Sequence, residues 1–184
     1  MPAHPLPYLP RPLDVFNGAP ADEARALLLD CLHSLRWAHR LADHRPYPDL
    51  DALLAAADEA AYDLSPGDLS EALAGESLPA LPEGAYSAAH MALSAAHAAY
   101  EARFGHVFVI YLGDVTPAEA IDRILEAIRS RLANDPEEER VMAAEQLRRL
   151  ARSRLATCLG GAGPHPSAAG PRGAASPNPP APGK

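Results

Sequence analysis

Only one stretch of this sequence reads as a β-strand. HVFVIYL, residues 106 to 112, joins β-branched and aromatic residues in an unbroken apolar run. Alone it cannot make a sheet, so it is either one buried extended segment or the start of a helix. The rest of the core must then come from packed helices. The amino-acid usage agrees: aromatic residues make up 5% of the chain, and alanine supplies much of the 48% apolar content. Alanine is the best helix former and a poor strand former. At 184 residues the chain fits one domain with a core of ordinary size.

Helical patterning fills most of the sequence. Ala24, Leu27, Leu28, Cys31, Leu32 and Leu35 recur at helical spacing after Pro20, and Leu50, Leu53, Leu54, Ala57 and Leu64 do so after YPD. SPGD supplies an N-cap at Ser65, a proline at the first helical position and an early acid at Asp68, and Gly75 closes that short helix. TPAE, residues 116 to 119, reads as a capping box with proline at N1. It opens a helix whose stripe is Ile121, Ile124, Leu125, Ile128 and Leu132. The expected fold is an all-α bundle of about seven or eight helices.

The ends differ from the middle. Residues 1–12 hold five prolines, and residues 160–184 hold seven prolines and six glycines. Such segments bury too little apolar surface to offset their conformational entropy, so 1–12 and 159–184 are expected to be disordered around a helical domain at 13–158. A formal charge of −8 argues against sequence-independent nucleic-acid binding, which relies on many cationic contacts to phosphate. Cys31 and Cys158 form no motif and suit a reduced cytoplasm, although a disulfide between them stays open. No apolar run approaches a membrane span, and no signal-peptide core is present, so a cytoplasmic location and no membrane partner are expected.

Two helices carry polar residues on their apolar face. Tyr86, His90, Leu93, His97, Tyr100 and Phe104 alternate by four and three, which sets all six on one stripe. His90 and His97 are therefore either core histidines held by hydrogen bonds, or, for His97, a pocket-lining acid/base group. Metal ligation is not expected, since neither a histidine pair at i,i+4 nor HExxH occurs. In the last helix Leu147, Leu150, Ala151 and Leu155 define a stripe, and Arg154 projects near its middle. An arginine there needs an anion: either an internal carboxylate or the carboxylate of a ligand, which its planar fork suits. Arg148, Arg149 and Arg152 point to the other side. NDPEEER reads as a solvated helix start, its acids favoured by the helix dipole.

Several pieces in order resemble one family. FNGAPADEARALLLDCL, RWAHRLADHRPYPDLDALLAAADEA, AAYEARFGHVFVIYL, IRSRLANDPEEE and RRLARSRL are similar to the 2-oxo-4-hydroxy-4-carboxy-5-ureidoimidazoline (OHCU) decarboxylases, over about residues 16 to 156. That resemblance implies a cofactor-free, usually homodimeric all-α fold, acting on a small anionic substrate in the last step from urate to (S)-allantoin. It implies that Arg154 and the main chain of Phe108, Val109 and Ile110 contact substrate. It also implies that a histidine-proline pair should follow the helix end ALAG. Here Glu76 stands at the histidine and Ser77 at the proline, and the family's glutamate-bearing EQ segment has no equivalent before AAYEARFG. Glu145-Gln146 lies in the last helix instead. His97 falls where the family often has asparagine. Glu76 and His97 are thus the candidate acid/base residues.

Three functions follow. The chain decarboxylates OHCU with Glu76 or His97 in place of the missing histidine; or it acts on another small anionic ureido or imidazole compound; or it is a non-catalytic binding or regulatory member. An Arg154–Glu76 ion pair would favour the third, and His97 facing Arg154 across a cavity would favour the first two.

Overall fold

The computed structural model describes residues 10–78 and 87–161. Residues 1–9 and 162–184 of the expected disordered ends, Tyr86 and most of the loop before AAYEARFG lie outside them. Pro12 and Leu159, also expected to be disordered, are instead the first residue of one helix and the buried last residue of another. The described residues form eight helices and no strand. They are α1 (Pro12–Gly18), α2 (Ala21–Cys31), α3 (Leu35–Asp43), α4 (Leu50–Tyr62), α5 (Pro66–Ala74), α6 (Ser87–Phe104), α7 (Pro117–Arg131) and α8 (Pro136–Leu159). No helix among them is long and apolar enough to cross a membrane.

The helix starts follow from local chemistry. Ser65 accepts the Asp68 backbone N–H while the Asp68 side chain reaches back to the Ser65 backbone, a complete capping box with Pro66 at the first turn. Asp135 and Glu138 make the same arrangement at the head of α8. At α7 the expected box is only half made: Pro117 is in place, but Thr116 Oγ1 meets the Glu119 carboxylate at 2.8 Å and no cap bond is formed.

The first expected helix ran too far. It ends at Cys31, and α3 begins at Leu35 under an N-cap from Ser34. Leu35 is 52% exposed, so its apparent place in the stripe was accidental. The result is a tight turn at His33-Ser34, and that turn becomes part of the site.

The core has two parts. α1 to α5 pack with α8 around Trp37, Leu28, Leu53, Leu147 and Leu155. Trp37 is fully buried, and its indole N–H donates to the Ala57 carbonyl at 3.0 Å. α6 and α7 close on Leu93, Tyr100, Phe108, Ile124 and Ile128. HVFVIYL is the seam: it is extended and unpaired, with Phe108 in the second cluster and Val109 in the first. Opposite-facing neighbours are what an extended chain provides.

A buried ion pair crosses this seam. Arg131 ends α7 and donates through Nε to Glu139 of α8 at 2.8 Å and through Nη1 to the Val109 carbonyl at 2.6 Å. Tyr100 hydroxyl and Asn134 also donate to Glu139. The guanidinium lies 4.4 Å from the Phe108 ring centre. NDPEEER was expected to be solvated. Glu137 and Glu138 are exposed, but Glu139 is fully buried, because the turn into α8 directs it at Arg131.

Candidate functional site

Arg154 marks the site. The buried positions of α8 are Glu139, Ala143, Leu147, Ala151, Leu155 and Leu159, a stripe with a spacing of four. Arg154 stands beside Leu155 and reaches across to the ends of two other helices. Its Nη1 donates to the carbonyl of Cys31, the last residue of α2, at 3.0 Å. The guanidinium also holds Glu76 through both carboxylate oxygens, at 2.8 and 3.0 Å. The Glu76 hydrogen bond pushes the arginine's already high pKa up further, against the cost of burial.

Glu76 is placed by the end of α5. Gly75 caps that helix, and the Glu76 backbone N–H donates to Leu73 at 3.2 Å. Its side chain is 8% exposed and that of Arg154 is 36% exposed, so the pair sits at the wall of an open space. That space is a polar cavity of ≈ 390 Å³. Leu29, Asp30 and His33 line it from the end of α2 and the turn after it; Gly75, Glu76 and Ser77 line it from the segment just after α5; Arg154 closes it from α8.

Gly75 has a reason to be glycine that its backbone angle does not supply. Its φ of −83° suits any residue. A Cβ there, however, would lie 2.4 Å from the His33 Cβ and 2.6 Å from its Cγ. The histidine lies directly against the helix end, and only a residue without a side chain lets it do so.

The other candidates lie elsewhere. His97 is 7% exposed and faces Phe108, with ring centres 5.9 Å apart. Burial lowers its pKa, with Glu101 opposing, and its ring packs on Phe108 of the second cluster. Its Nδ1 is buried with no hydrogen-bond partner among the described residues. It is not among the residues lining the Arg154 cavity. His90 is half-buried on the same helix.

Phe108 and Val109 are buried, the Val109 carbonyl is taken by Arg131, and the Tyr111 N–H donates to Gln146 at 2.9 Å. Ile110 borders a separate surface cavity with Arg123 and Glu126. Both cysteine thiols are free, and burial beside Cys158 pushes Cys31 up to about 12. Arg148 and Arg152 pair with Asp58 of α4 on the opposite side of α8 from Arg154.

Of the two arrangements left open by the sequence, the structure has the Arg154–Glu76 ion pair, the one that favours the non-catalytic reading. His97 and residues 108 to 110 are not brought to that cavity. His33 and Asp30 were missed. The signal was available at Ser34, an N-cap residue type standing just before a helix-forming run.

Comparison with known proteins adds a family to this geometry. The model of the OHCU decarboxylase family matches residues 17–83 and 79–156. A crystal structure of (S)-allantoin synthase superposes with a TM-score of 0.64 at 22% identity, over 80% of this chain and 54% of that one. This chain thus spans about half of the synthase's length. A crystal structure of OHCU decarboxylase in the presence of (S)-allantoin superposes with a TM-score of 0.63 at 19% identity, over 78% of this chain and 100% of that one. At such identities the likeness is one of fold. No curated protein matches the sequence.

Proposed function

Because this chain belongs to the OHCU decarboxylase family, we propose that its Arg154 cavity binds OHCU, the carboxylated ureido-imidazoline derived from urate, and decarboxylates it to (S)-allantoin. One observation carries this. Arg154 already holds a carboxylate, that of Glu76, through both oxygens at the wall of an open cavity. That is the geometry in which a guanidinium takes a ligand carboxylate. Glu76 is then an internal stand-in that a carboxylate ligand displaces.

The chemistry needs no electron-sink cofactor. The bond from the hydroxyl-bearing ring carbon to the carboxylate breaks, CO₂ leaves, and the electron pair passes into the adjacent C=N, whose nitrogen takes a proton. The ureido-bearing carbon of the resulting enol is then protonated on one face as the hydroxyl gives up its proton to become the ring carbonyl. Glu76 is poorly suited to supply that proton, since both its oxygens accept from a guanidinium. Nor does the grip of Arg154 on the carboxylate speed the loss of CO₂, because it stabilises the charge that must be given up. Arg154 binds; another group must handle the proton.

The same ion pair is also what a binding or regulatory member that keeps the clamp and does no chemistry would show. It is this second function that gains from the pairing, since His97 does not face Arg154 across the cavity. A divergent enzyme on another small ureido or imidazole anion would use the same clamp.

Steady-state kinetics on OHCU made in situ from urate test the primary function, with allantoin followed by circular dichroism. Arg154→Ala should raise KM by about 10- to 100-fold, the worth of a charged bidentate contact, and change kcat less. An unchanged KM would remove Arg154 from substrate binding. Absence of turnover, with binding of the stable ureido carboxylate hydantoate retained, would leave the binding function.

A further inference from the structure

Resting on the reading that the Arg154 cavity takes the substrate, we infer that His33 is the proton-handling group of this site. Its imidazole, carried on the turn between α2 and α3, delivers the proton to the ureido-bearing ring carbon next to the one that loses CO₂. Neither His97 nor Glu76 meets that need, for the reasons of place and bonding given above.

Three observations carry the assignment. His33 is the one histidine among the described residues that lines the cavity holding Arg154 and Glu76. Next, the helix end opposite is built around it: Gly75 leaves the space that the His33 side chain occupies, and a Cβ there would lie 2.4 Å from the histidine. Finally, the turn that carries it is fixed on both sides. The Ser34 N–H donates to the Leu32 carbonyl at 2.8 Å, and the Leu35 N–H donates to Glu71 Oε2 of α5 at 3.3 Å. Arg154 itself holds the Cys31 carbonyl two residues before. A turn tethered in this way fixes where the side chain is anchored before substrate arrives, which is what proton transfer needs.

His33 is also exposed, so solvent can return the proton after each turnover. The charged groups around it come from every neighbouring element: Asp30 on α2, Glu71 on α5, Glu76 after α5 and Arg154 on α8. An imidazole acting as acid must be protonated, so kcat should fall as pH rises through the range where histidine loses its proton.

Kinetics of His33→Gln and His33→Ala test this, with hydantoate binding measured by calorimetry on the same samples. Because the side chain is exposed, both variants should fold, and their urea midpoints check it. His33→Gln should lower kcat by about 100-fold or more and lose the alkaline limb of the pH profile. Hydantoate affinity should change little, and added imidazole should restore part of the His33→Ala rate. Wild-type kcat and an unchanged pH limb in both variants would overturn the assignment while leaving the substrate site standing. A wild type that binds hydantoate but never accelerates OHCU breakdown would overturn it too. A wild type that neither binds nor reacts would instead bring down the reading on which it rests.

Discussion

At Glu76 a carboxylate occupies the position that a ligand's carboxylate would need. Ligand binding is then an exchange: the incoming anion must replace two charge-assisted hydrogen bonds that Arg154 already makes. Such bonds are worth about 1.5–3 kcal/mol, and the partial exposure of Arg154 discounts them toward the lower end. Glu76→Ala should therefore tighten hydantoate by about tenfold, seen by calorimetry. Weaker binding in that variant would mean that Glu76 helps to hold the ligand. His97 makes a separate prediction, about stability. Burial lowers its pKa from 6.5. The unfolded chain takes up a proton as pH falls through 6.5, whereas the folded imidazole resists it. Its contribution to stability is thus full above that pH and is lost as pH falls toward the folded value. Urea titrations at pH 7 and pH 5 should show a smaller loss for His97→Leu than for wild type; an equal loss would contradict a neutral, buried His97.

At the scale of elements, α8 organises the molecule. One face packs on α1, α2 and α4, its first turn meets Arg131 from α7, and its second-to-last turn carries Arg154. The Arg131–Glu139 pair ties this helix to the extended segment and hence the two clusters to each other. Removing one partner leaves a buried charge alone, so Arg131→Met should cost about 3–5 kcal/mol in urea unfolding. The double variant with Glu139→Leu should recover much of that, since no charge is stranded. A single-variant loss below about 1 kcal/mol would show that the pair is better solvated than its burial implies. This pair was illegible in the sequence for a physical reason. Three glutamates in a row at a helix start look equivalent, and only the approach of α7 selects Glu139 to turn inward. The stripes of α6 and α7 were legible because periodicity alone fixes which side is buried: Leu93, His97, Tyr100, Ile124 and Ile128 are all buried.

For the whole molecule, one β-type run among many helical ones was enough to require an all-α bundle, and the fold is one. The site was half legible. Arg154 stood out because an arginine in an apolar stripe demands an anion, and Glu76 because it replaced an expected histidine. His33 was hidden because the leucine pattern carried an imagined helix through the turn that holds it. The proposed function requires that this cavity handle OHCU. The most direct test mixes purified protein with OHCU freshly made from urate and follows the circular dichroism of allantoin against the uncatalysed rate. The account predicts (S)-allantoin formed faster than background, and not by an Arg154→Ala, His33→Gln double variant. Allantoin that appears at the background rate, with the protein folded, would contradict it.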